Sequence, residues 1–173
     1  MRRSYWVVCS IFLLLFALFG YLAQRSFIFP GDIAVSLWLQ SVKLPGFYRT
    51  MKTISFFHSL FPAIIVVALV SGRLWRSERI LESLFIMALT VLSTLLYWFF
   101  KTLIGRPRPG GEIQTLTQNN GFSFPSGHIV YATVFYGFLF YLAPRLIKQA
   151  AIVRTLRGVL VLLILLTAAS RIY

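Results

Sequence analysis

ILESLFIMALTVLSTLLYWFF, residues Ile80–Phe100, is followed at once by Lys101-Thr102-Leu103-Ile104-Gly105-Arg106-Pro107-Arg108-Pro109. The first stretch holds one acid, Glu82, and no other charge. A hydrocarbon core of about 30 Å needs about 20 apolar residues in a helix, so this segment has the length and polarity of a membrane span. The second stretch packs three cations among two prolines and a glycine. A span that ends in such a basic, turn-prone run sets both the fold class and the place to look for chemistry.

Four further segments carry the same signal: about Tyr5–Ala23, Ile54–Ser71, His128–Ala143 and Thr155–Ser170. Across the chain 58% of residues are hydrophobic, 12% are charged and the mean hydropathy is +0.80. So few charges could hardly cover a water-facing surface, which excludes a soluble globular domain. The expected fold is all-α: a polytopic transmembrane bundle of five spans in one domain over residues 1–173. Arg2 and Arg3 before the first span resemble a signal-peptide start, but Phe19-Gly20-Tyr21-Leu22-Ala23 is a poor cleavage site, so the segment reads as a span. The single Cys9 rules out a disulfide framework and a cysteine metal site.

Between the first two spans, Asp32, Ser36, Gln40 and Lys43 recur at helical spacing, with Ile33, Ala34, Leu37 and Trp38 on the other side. The pattern predicts an amphipathic helix in the head-group region, ended by Pro45-Gly46.

The formal net charge is +13, from 17 Lys and Arg against 4 Asp and Glu. These cations are spread over short loops between apolar spans. The positive-inside rule and anionic lipid head groups account for that spread, and it speaks against a nucleic-acid partner. With an inside N-terminus, nine cations fall inside and eight outside. If Lys101, Arg108 and Arg171 are outside for a chemical reason, nine stand against five, and the inside N-terminus is favoured.

That reason comes from two clusters. Phe124-Pro125-Ser126-Gly127-His128 opens the fourth span. Ser126 is a good N-cap, Gly127 admits a close approach to the backbone, and a helix N-terminus attracts phosphate. His128 would lie in the first turn, where it can give a proton to a leaving oxygen. Lys101 and Arg108 supply counter-charge; Gly105 and Pro107 break the helix so that both can turn onto one anion. Arg171 closes the fifth span at the same membrane face. Taken alone, His128 could be an interfacial histidine, and Arg106 could touch a ligand or sit in the head groups. His58 has no charged companion in sequence and reads as a packing or interfacial residue.

These residues resemble the type 2 phosphatidic acid phosphatase family. Lys101 through Arg108-Pro109 matches its KxxxxxxRP signature, Pro125-Ser126-Gly127-His128 matches PSGH, and Ser170-Arg171-Ile172-Tyr173 opens SRxxxxxH. All three stand in order at span ends. The resemblance implies an integral-membrane hydrolase that takes a terminal phosphate from a lipid phosphate or pyrophosphate. It implies phosphate binding by Lys101, Arg108, Ser126, Gly127 and Arg171, with His128 as general acid. It also implies no metal, no cofactor, a lipid substrate in the bilayer, and a site on the outer face of a multi-pass cell-membrane protein. The nucleophilic histidine of the third signature would fall four positions beyond Tyr173, with the family's sixth helix after it. The expectation is therefore a fragment that binds phosphate weakly and turns nothing over. A non-catalytic lipid-phosphate binder or transporter stands as the alternative, and a structural subunit with chance motifs as a third. The sequence names neither the lipid nor the oligomeric state.

Overall fold

The computed structural model describes residues 2–26, 29, 31–107 and 121–172. These form seven α-helices: α1 (Arg2–Arg25), α2 (Asp32–Gln40), α3 (Phe47–Phe57), α4 (Leu60–Arg76), α5 (Ile80–Ile104), α6 (Gly127–Leu146) and α7 (Ala150–Ile172). α1, α5, α6 and α7 are each long and apolar enough to cross a membrane, and α3 with α4 passes the same test only as a pair bent by 64°, the geometry of a broken span or a re-entrant loop.

That bend corrects the second span, read from sequence as an unbroken Ile54–Ser71. Pro62 is the cause. Its ring clashes with the carbonyl four residues earlier, that of His58, and it has no N–H to give. In the first turn of a new helix neither defect matters. Ser59 therefore begins α4 in extended conformation while α3 stops at Phe57.

The amphipathic helix is shorter than expected. It ends at Gln40, and Pro45-Gly46 lies instead at the start of α3, where Gly46 has φ 82°. Its polarity also runs the other way from a helix resting on water. Ser36 is buried and Asp32 is paired within the protein, while Trp38 is 68% exposed and Leu37 half-exposed. In lipid an apolar face needs no cover, so the polar face turns inward.

Three contacts fix α5 and α6 as an antiparallel pair in constant register. Arg79 donates to the Arg145 carbonyl at 3.2 Å, the Phe85 and Phe138 rings lie 5.5 Å apart, and Tyr97 meets Gly127. α6 and α7 pair likewise. Arg157 donates to the Phe140 carbonyl at 3.2 Å, while Tyr131 and Thr167 flank the same His58 ring. α1 runs parallel to α5, with Phe16 against Phe100 and Gly20 against Ile104. The ends of α1, α5 and α7 and the starts of α3 and α6 thus share one end of the bundle.

The core is small. Val67 and Leu74 of α4, Ile86 of α5, and Phe135, Phe138 and Leu142 of α6 form it. In lipid, burying apolar side chains gives little drive, and helix association leans on close packing and interhelical hydrogen bonds of about 0.6–2 kcal/mol each. Ser83 Oγ donating to the Ser71 carbonyl at 2.9 Å joins α4 to α5 in this way.

Candidate functional site

Lys101 lies in the last turn of α5, which continues past the expected end at Phe100 to Ile104 and closes on Gly105 at φ 62°. Its ammonium donates to the Tyr97 hydroxyl at 2.9 Å and sits 4.9 Å from that ring's centroid. The same ring lies under the start of α6. A Cβ on Gly127 would come 2.9 Å from Tyr97 Cζ, a distance real Cβ contacts do not show. Gly127 is therefore required by the tyrosine packed against it. Tyr97 ties the first signature to the second, and the sequence reading passed over it. The available signal was its placement one turn before Lys101 on the same helix face.

Ser126 stands at the N-cap of α6 with extended backbone, as expected, and its carbonyl accepts from Val130 N–H at 3.0 Å. Its hydroxyl makes no capping bond, contrary to the usual role of serine there. The N-terminal amides of α6 thus have no side-chain cap from it, which suits an anion at a helix N-terminus. His128, half-buried in the first turn, is brought level with Ser170 by the register of α6 and α7.

Arg171 lies in the last turn of α7 and donates to Ser55 Oγ of α3 at 2.9 Å. Lys101, His128 and Arg171 therefore meet at one end of the bundle. Arg108 lies outside the described residues. Its neighbour Pro107 accepts from Ser123 Oγ at 2.9 Å, and the Arg106 carbonyl accepts from Ser123 N–H at 2.7 Å. These bonds bring the chain leaving α5 beside the chain entering α6.

Arg106 is held by protein. It donates to Asp32 Oδ2 at 2.9 Å and lies over the Phe29 ring at 4.6 Å; its side chain is 12% exposed. The same carboxylate oxygen accepts from Phe29 N–H at 3.0 Å. The pair anchors α2 to the basic loop. Asp32→Asn keeps the volume and removes the charge, leaving a mostly buried guanidinium without its counter-ion. We expect destabilisation by about 1–3 kcal/mol, read as a lower melting temperature in detergent. Arg106→Gln added to Asp32→Asn should recover part of the loss. Equal melting of Asp32→Asn and wild type would show the pair to be worth nothing.

Among the described residues no three His, Cys, Asp or Glu side chains gather as metal ligands. The chemistry on offer is cationic: two positive side chains held by hydrogen bonds, a helix N-terminus and a histidine at one end of the bundle.

Fold and site together define a multi-pass helical membrane protein with basic side chains gathered at one end. A family model of the PAP2 superfamily matches residues 79–173, more than half of the chain, and the chain belongs to that superfamily. Among solved structures it resembles a transmembrane PAP2-type phosphatidylglycerolphosphate phosphatase from Bacillus subtilis, with TM-score 0.76 and 19% identity over 92% of this chain and 81% of that one. At that identity the likeness speaks for the fold. No curated protein sequence gives a significant match.

Proposed function

We propose that residues 1–173 form one membrane domain, the phosphate-binding core of a lipid phosphate phosphatase that removes a terminal phosphate from a lipid phosphate or pyrophosphate. Phosphatidate, phosphatidylglycerol phosphate and polyprenyl pyrophosphate are the candidate classes. The observation that carries the reading is the helix register that gathers Lys101, His128 and Arg171 at one end of the bundle.

In this reading Lys101, Arg108 and Arg171 hold the equatorial phosphate oxygens, where negative charge concentrates in the transition state. Ser126 and Gly127 contribute hydrogen bonds at the α6 N-terminus. A histidine nitrogen attacks phosphorus, the bond from phosphorus to the lipid oxygen breaks, and His128 gives that oxygen its proton. Water then attacks the phosphohistidine, releasing phosphate and restoring the nucleophile. The third signature, opened by Ser170-Arg171, assigns the attack to a histidine six positions after that arginine. No metal takes part.

The test is phosphate release in detergent with EDTA, by the chain continued through that histidine, on a short-chain member of each lipid class. Release from at least one class, insensitive to EDTA, supports the reading. Folded protein that releases nothing from any class overturns it and moves the site to a non-catalytic lipid-phosphate binder.

The orientation that goes with this reading puts the N-terminus in the cytoplasm and the site outside. A cysteine placed at Gly121, in a Cys9→Ser background, should then react in intact cells with a membrane-impermeant thiol reagent. A cysteine at Lys148 should react only after lysis. The reverse pattern would invert the topology.

A further inference from the structure

α3 is an odd element for a span. It is the shorter half of a bent pair, and at its end two polar side chains are buried while the apolar residues between them are exposed. Ser55 and His58 are both buried, at 6% and 5% exposure, while the adjacent Phe56 and Phe57 are exposed. Both polar residues reach α7. Ser55 Oγ accepts from Arg171 Nη1 at 2.9 Å, and His58 Nε2 lies 3.1 Å from Thr167 Oγ1. The two contacts are three residues apart on α3 and four apart on α7, so they form one antiparallel seam one helical turn long.

His58 is itself oriented. Nδ1 lies 2.7 Å from the Ile54 carbonyl, which can only accept, so Nδ1 carries a proton. In the neutral ring Nε2 is then an acceptor, and the Thr167 hydroxyl, whose one proton goes to the Leu163 carbonyl at 2.7 Å, donates to it only by turning away from that carbonyl. Thr167 is fully buried, and its carbonyl in turn accepts from Ser170 Oγ at 2.8 Å. The Tyr131 and Tyr136 rings of α6 close around the imidazole edge-on, at 6.0 and 5.5 Å. The last turn of α7 is thus held on the side facing α3 by two side-chain bonds made across the bend.

We propose that Ser55 and His58 are positioning residues for Arg171, and that the break at Pro62 exists in the fold to aim α3 at the end of α7. Arginine loses several rotatable bonds when it grips a phosphate. A hydroxyl that already holds one guanidinium nitrogen restricts that search before the lipid arrives. His58 acts one step further back, fixing the helix turn from which Arg171 projects. Neither residue touches the reacting atoms. The inference rests on the phosphate-site reading above.

The test is a double-mutant cycle on binding of a short-chain lipid phosphate, with the matching lipid alcohol as control. Ser55→Ala should weaken phosphate-dependent binding about tenfold in the wild-type background, as expected for a lost hydrogen bond to a charged group. In an Arg171→Gln background the same change should matter less than about twofold, because the group it positions is gone. Thr167→Val, nearly isosteric, should repeat the pattern at about threefold and serves if Ser55→Ala does not fold. Equal losses in both backgrounds would show a general packing role and overturn the assignment. A wild type that binds lipid phosphate no better than lipid alcohol would overturn the phosphate-site reading itself, and the positioning with it.

Discussion

His128→Gln, in the chain that carries the third-signature histidine, is expected to lower kcat for a lipid phosphate by about 10²–10⁴-fold, the usual contribution of a general acid. KM should change little, because the cations and the α6 N-terminus still bind the ground-state phosphate. The size of the loss follows from the leaving group. A lipid alkoxide is a strong base, and departure without a proton is slow. An aryl phosphate leaves as a weak base and gains far less from protonation. The sharper form of the prediction is therefore a ratio: His128→Gln should cost an aryl phosphate at least about tenfold less than it costs the lipid. A loss of equal size on both would assign His128 to binding or folding. Its place in the first turn of α6, level with Ser170, would put it beside a phosphate held by Arg171 in the proposed reading.

Gly127→Ala is expected to damage the site without removing any polar atom. The new Cβ would meet the Tyr97 ring at 2.9–3.2 Å. The ring cannot stay, and its hydroxyl is the acceptor that holds the Lys101 ammonium. Overpacking of this kind costs about 1–3 kcal/mol, and displacement of Lys101 should weaken lipid-phosphate binding by about tenfold or more. The two effects separate in a second variant. Gly127→Ala with Tyr97→Leu relieves the clash and should restore the melting temperature. It cannot restore affinity, since leucine offers Lys101 nothing. Full affinity for Gly127→Ala alone would mean that Tyr97 and Lys101 are not coupled to α6.

The parts of the fold legible in sequence were those governed by lipid as solvent. The four unbroken spans were found, because about 20 consecutive, mostly apolar residues are what a hydrocarbon core asks of a helix. Boundaries shifted where local chemistry extended a helix beyond its apolar run, as at Lys101 and Ala150. The bend at His58 was marked by Pro62, whose ring forbids a helix running through from upstream, and was missed because hydropathy is blind to backbone geometry. α2 was read as an amphipathic helix in the head-group region; its Asp32 and Ser36 turn toward the protein, where Asp32 meets Arg106.

The site divided along similar lines. Lys101, Arg108, Ser126, Gly127, His128 and Arg171 were proposed from charge, turn chemistry and position at span ends; Arg108 lies outside the described residues, and the helix register brings the ends that carry the others together. Arg106 had been left open between ligand and head groups, and its ion pair with Asp32 gives it a structural partner 74 residues away. Nothing in a periodic pattern announces such a pair. His58 belongs to the same class. It is the packing residue the sequence suggested, yet both its ring nitrogens are engaged, by partners the sequence could not name. Tyr97 is a third case, visible only once α5 and α6 lie side by side.

The central claim is that side chains from the first and third signatures bind one phosphate. Equilibrium binding of a short-chain lipid phosphate to the 173-residue chain tests it most directly, comparing wild type with Lys101→Gln, Arg171→Gln and the matching lipid alcohol. The account predicts that the wild type prefers the phosphate and that each substitution costs about tenfold or more, leaving alcohol binding unchanged. A wild type that binds phosphate and alcohol alike, or a preference that survives both substitutions, would contradict it.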